Sequence, residues 1–278
     1  MEIKSPKESA QFIAKNAEHV KIMDEGIDKC AQEIVQRVKD NRLSLSLHLY
    51  KDSGVHPKNI EDKDVEWVFV VSALNFSFWQ DPGDKPYLVS YEGKTHHGYM
   101  AFCAAMNRSI NQGTNLTDSK VYQTITEENL NTCLMGDNGV PIPMLKERVQ
   151  CLHEIAQVLD AKYAGKFVNC LEKCSSAQEL LSRTVQDFPC FDDSHFFKGQ
   201  KVAIHKRAQI LVADLWQLFE GKKLCAFEDI DSISMFADYR GMISFVLNKI
   251  LKCVFSVFDY LQFHKAFCTL KRFPTQTN

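Results

Sequence analysis

The chain has 278 residues, 45% of them apolar and 24% charged, enough to bury a core in one domain or two closely packed lobes. Its 33 basic and 35 acidic side chains leave a formal charge of −2, which gives no field for holding a long polyanion, so polymeric nucleic acid is not an expected partner. Met1 to Pro6 carries neither the basic segment nor the apolar run of a secretory leader, and no stretch reaches the roughly eighteen apolar residues of a membrane span. A cytoplasmic setting away from membranes is the expectation.

Ser5-Pro6-Lys7-Glu8 predicts a helix start, with Ser5 as N-cap, Pro6 at the first helical position and Glu8 reaching back as a capping box. Ile27, Cys30, Ala31, Ile34, Val35 and Val38 recur at three- and four-residue steps and predict a second, amphipathic helix ending near Asp40-Asn41. Leu45, Leu47 and Leu49 alternate over too short a run to assign. Val65 to Trp79 is apolar almost all round and predicts an interior element. Tyr87 to Tyr91 and Thr95 to Tyr99 flank Glu92-Gly93-Lys94 as a β-hairpin, and a helix from about Tyr99 to Asn111 stops before Gly113. Further helices are predicted over Thr126–Leu134, Met144–Tyr163, Ser176–Gln186 and Val202–Glu220, the last closed by Gly221. One hairpin among about eight helices makes the fold class mainly α with a small β element.

Ten cysteines lie scattered through apolar segments without a Cys-x-x-Cys pair, which suits reduced packing residues rather than a disulfide framework. His96 and His97 are adjacent and point apart on a strand, so no metal site is expected. A nucleophile elbow, a phosphate loop and a dinucleotide fingerprint are all absent, and no organic cofactor is expected either. Two segments carry mixed chemistry. On a helix Lys206 shares a face with Val202, Ile210 and Ala213, where it is either a partly desolvated cation in want of an anion or a lysine reaching out to solvent. Ser234 to Arg240 combines Phe236, Asp238 and Arg240 in one short run.

Four strings, Asn75-Phe76-Ser77-Phe78-Trp79, Tyr91-x-Gly93-Lys94-Thr95, Lys206-Arg207-Ala208-Gln209-Ile210-Leu211-Val212-Ala213-Asp214 and Met235-Phe236-Ala237-Asp238-Tyr239-Arg240, together resemble the queuosine 5′-phosphate N-glycosylases in order and spacing. The likeness runs from about Ser5 to Arg240, and residues 241–278 read as a divergent apolar tail. The resemblance implies a helical fold like the core of DNA glycosylases. It also implies hydrolysis of the N-glycosidic bond of queuosine 5′-monophosphate, releasing queuine for salvage into tRNA modification. Carried over by position, Phe236 stacks on the deazapurine, Asp238 supports the charge of the transition state or binds the base edge, and Lys206 lies beside them. The alternative is a chain that binds queuine or its nucleotide without turnover because the tail differs, or an unstable splice product.

Overall fold

The computed structural model describes residues 5–43, 49–78, 80, 83–236, 241, 245 and 250–253. Leu45, Leu47, Trp79, Asp238, Tyr239, Arg240 and most of the tail lie outside them.

Helix α1 (Pro6–Asn16) starts as the sequence predicts, with the Glu8 amide donating to Ser5 Oγ at 3.3 Å and the Ser5 amide donating to Glu8 Oε2 at 3.0 Å. A short strand β1 (Val20–Ile22) leads into α2 (Asp24–Lys39). The apolar stripe of α2 does not become core: Ile27, Ile34 and Val35 are 43%, 46% and 52% exposed, and Gly26 is the buried residue of the helix. After a single turn α3 (Leu49–Asp52), helix α4 (Asp62–Ala73) enters the interior and buries every residue from Asp64 to Ala73. An all-round apolar run has no face to give to water, so neighbours must surround it. The one acid in the middle of that run, Glu66, accepts the amides of Phe167 and Val168 at 2.9 Å each.

Strands β2 (Leu88–Tyr91) and β3 (Lys94–His97) form the predicted antiparallel hairpin, with Glu92 and Gly93 at φ 48° and 78° in its two-residue turn. That left-handed pair matches the twist of the strands it joins. Helix α5 (Gly98–Asn111) packs back on this hairpin. There follow α6 (Ser119–Tyr122), α7 (Glu127–Leu134), α8 (Leu145–Tyr163), α9 (Val168–Leu171) and α10 (Ala177–Asp187), with Thr126 and Ser176 accepting the N3 amides of α7 and α10.

One expectation fails here. Val202 is not helical: strands β4 (Ser194–Phe197) and β5 (Gln200–Ala203) form a second hairpin, and α11 (Lys206–Leu218) begins only at Lys206. Val202 therefore does not share a helix face with Lys206. A last strand, β6 (Leu251–Cys253), pairs antiparallel with β1. The described residues thus hold eleven α-helices and three two-stranded sheets, mainly α with minor β as composition and periodicity predict. The core lies where α4 meets α8, α9 and α11, and Phe69 of α4 stacks on Phe167 at 4.0 Å between ring centres.

Candidate active site

The site grows from the carboxyl end of α4. The last carbonyls of a helix lack intrahelical donors and carry the negative end of its dipole, so cations collect there. Three do. Arg148 of α8 is fully buried and donates to Leu74 O at 2.7 Å, Phe76 O at 2.6 Å, Ser77 O at 2.7 Å and Pro143 O at 2.9 Å. Its guanidinium also lies 4.5 Å from the Phe76 ring centre. Burial lowers its pKa to about 10, still well above neutrality. Arg207 donates to the carbonyls of Ala73 and Cys190, and its guanidinium lies 5.2 Å from the same Phe76 ring centre. Lys206 Nζ reaches Asn75 O at 3.5 Å. Together they turn the strip Leu74–Phe78 into a fixed loop, with Ser77 in the left-handed region at φ 47°.

Lys206 is half-buried; of the apolar neighbours expected on its helix face, Ile210 and Ala213 lie on α11 with it and Val202 lies in β5. It is the first residue of α11, where its amide donates to Asp193 Oδ2 at 2.9 Å. His205 before it is left-handed and caps nothing with its side chain, so Asp193 supplies the anion that the helix start requires.

Phe236 is half-buried, and Gln209 explains how its segment is held against α11. The Gln209 side chain is 3% exposed. Its Oε1 accepts the amide and the hydroxyl of Ser234 at 2.9 and 2.8 Å, while its Nε2 donates to Ile204 O at 3.0 Å. Two residues upstream, Gln178 Nε2 donates to Ser232 Oγ at 2.8 Å, and Asp229 accepts the first amides of α10 at 2.8 and 3.0 Å. The arm 229–236 is thus pinned to α10 and α11 before it reaches Phe236.

Eight residues on from Lys206, or about 12 Å along the axis, α11 carries Asp214. Its carboxyl is raised to about 7 by burial, with no cation or hydrogen bond among the described residues to offset the desolvation. Asp214 lies near Tyr50, Tyr99 and Cys103, and its charge pushes all three of their pKa values up, secondarily to burial. Tyr50 stacks on His56 at 4.1 Å, and His56 Nε2 lies 3.0 Å from Tyr99 Oη. Burial lowers His56 to about 4, so this imidazole is neutral. The Tyr50 hydroxyl is buried without a hydrogen-bond partner.

A half-buried lysine, an unpaired carboxyl and aromatic walls on one helical scaffold suit a small aromatic ligand with an anionic group. The family model described as "Queuosine salvage protein" matches residues 55–267. The chain belongs to that family. The queuosine salvage match extends past Arg240, where the sequence by eye loses the likeness. Among similar proteins, the mouse protein named "Queuosine 5'-phosphate N-glycosylase/hydrolase" is 40% identical over 85% of this chain and 69% of its own length. Proteins of the same name from Nematostella vectensis and Schizosaccharomyces pombe are 39% and 34% identical, each over 84% of this chain and over 67% and 70% of their own lengths.

Of the residues that sequence assigned to the queuosine site, Lys206 and Phe236 stand on α11 and on the arm pinned to it, and Asp238 lies outside the described residues. The hairpin string is packed on α5, with Asn111 Nδ2 donating to Tyr91 Oη at 3.2 Å. Sequence reasoning assigned no role to Arg148, Gln209 or Asp214. Arg148 was detectable, because it occupies a position in the stripe Leu152, Ile155, Leu159 of α8, where a charge has no bland explanation. Gln209 and Asp214 sit inside a recognised string, but nothing in the string says what they face.

Proposed function

We propose that the chain hydrolyses the N-glycosidic bond of queuosine 5′-phosphate, releasing queuine and ribose 5-phosphate, as a cytoplasmic enzyme of base salvage. The relatives named for that reaction, similar over 84–85% of this chain, are the observation that carries the proposal. In this reading a water adds to the anomeric carbon as the bond to the base breaks, and the departing base takes up a proton.

A 7-deazapurine lacks the ring nitrogen at which purines are usually activated, so the burden falls on stabilising a cationic ribosyl centre and on holding the base. Phe236 offers its ring face to the base, and Asp238, two residues on, brings the carboxylate to the sugar. Lys206 balances that carboxylate or the phosphate. Support comes from the scaffold: Lys206 is held at the start of α11 by Asp193, and Gln209 one turn later holds Ser234, so both strings depend on the same helix. In this reading Asp214, the acid carried by the same helix and half-protonated at neutral pH, gives the base its proton. The structure describes no metal-binding cluster among its described residues, and the reading uses none. Queuine release from queuosine 5′-phosphate, followed by chromatography with purified chain, tests the proposal; binding of the nucleotide without release would instead favour the non-catalytic alternative.

A further inference from the structure

Beside α8 lies a cleft of about 470 Å³, lined by Phe76, Glu147, Cys151, Glu154, Cys190 and Arg207 among others. Two cysteines 39 positions apart in sequence, Cys151 and Cys190, line it together, each thiol shifting the titration of the other, and neither is in a disulfide. Their backbones are fixed from several sides. The Cys190 amide donates to Glu154 Oε1 at 2.6 Å, and its carbonyl accepts from Arg207. Cys151 Sγ lies 3.5 Å from Ala73 O, the same carbonyl that Arg207 holds.

We propose that Cys151 and Cys190 form a peroxide-reactive dithiol that closes to a disulfide. Reactive thiols are those kept partly accessible beside a cation, with a resolving thiol in reach. Cys190 is half-buried, and Cys151, 7% exposed, opens only into the cleft that both cysteines line. The contact with Cys190 and the nearby Arg207 favour the thiolate at Cys151, while the same contact pushes the Cys190 thiol up. The order of attack follows. The Cys151 thiolate takes one oxygen from hydrogen peroxide, giving a sulfenic acid and one water. The Cys190 thiol then attacks that sulfur, forming the S–S bond and releasing a second water. Two thiols are oxidised by two electrons and one peroxide is reduced. A dithiol reductant reverses the step.

The chain contains an internal rival. Cys170 and Cys174 are also in thiol contact, and Cys174 is lowered to about 7 by that contact and by Arg183. However, Cys170 is fully buried, and neither Cys170 nor Cys174 lines the cleft. The test is to treat the full chain with equimolar hydrogen peroxide, alkylate the remaining thiols and map peptides by mass spectrometry. The expected product links the Cys151 and Cys190 peptides and disappears on reduction. In Cys190→Ser the sulfenic acid at Cys151 should persist and be trapped by dimedone, with labelling about tenfold above that of buried Cys103. Fully alkylated Cys151 and Cys190 after that dose, or a disulfide confined to Cys170 and Cys174, overturns the proposal. Unchanged dimedone labelling between Cys190→Ser and the parent chain overturns the resolving role of Cys190. None of these readouts depends on turnover of queuosine 5′-phosphate.

Discussion

At the scale of single residues, the most consequential side chain is a buried cation with no ion-pair partner among the described residues. Arg148 is fully buried and its hydrogen bonds run to backbone carbonyls, so Arg148→Met leaves several acceptors in the core without that donor. Breaking such a buried charged network costs about 3–5 kcal/mol, and a urea titration should show the midpoint fall with it. Arg148→Lys should rescue little, since one ammonium cannot reach the spread of carbonyls that a guanidinium spans. Asp214 makes a different prediction. Its folded pKa, about 7, exceeds the ordinary carboxyl value of about 4. The native chain is therefore relatively favoured below pH 4 and loses that contribution as pH rises through 7. Asp214→Asn should remove this slope, so that unfolding free energy against pH is flatter between pH 4 and 7 than in the parent. If Asp214 also protonates the base, the substitution should lower kcat and erase its decline above pH 7. For the catalytic charge, Asp238→Asn should reduce queuine release on the order of a hundredfold or more. Lys206→Met should fold normally and lose activity non-additively with it.

At the scale of elements, α11 is a shelf that carries Lys206 and, through Gln209, holds the arm bearing Phe236. Gln209→Leu keeps the size and removes both bonds to Ser234, so the fold should survive while the arm bearing Phe236 loosens. The expected signature is a raised KM with a smaller change in kcat, and Ser234→Ala, which keeps the amide bond, should show the same pattern more weakly. The N-cap residues Ser5, Thr126 and Ser176 announced their helices because capping chemistry is local and written in adjacent residues. The hairpin β4–β5 was concealed for the opposite reason. Its turn, Lys198-Gly199, needs Lys198 at φ 46°, a conformation that lysine rarely adopts, and Val202 beyond it happens to fall on the periodicity of the helix that follows. The stripe on α2 shows the limit of the same rule, since amphipathic spacing says which residues share a face and not whether anything covers it.

At the scale of the whole molecule, the contacts that sequence could not reveal are those that join distant parts. Arg148 meets carbonyls more than seventy residues earlier, and Gln209 a serine twenty-five residues later. Composition and period give each element its type; these long-range bonds decide which elements face the site. The amino-terminal segment is held in the same way, by the Ala203 amide donating to Ser9 Oγ at 2.9 Å inside the protein and by β1 against β6. Deleting the residues before Asp24 should therefore lower the melting temperature by several degrees, because it strands a buried amide and unpairs β6.

The pairing of Val20 with Cys253 and of Ile22 with Leu251 also sets a timetable for synthesis. Strand β1 leaves the ribosome before its partner, which is more than two hundred codons away. At cellular elongation rates of about 5–20 residues per second, that is a wait on the order of ten seconds or more. Through that interval β1 offers an unpaired strand edge, beside a helix whose isoleucines remain in water. Closing the sheet is a late, loop-spanning event in the birth of the chain, and a nascent-chain chaperone that covers the first forty residues has a defined task until it happens.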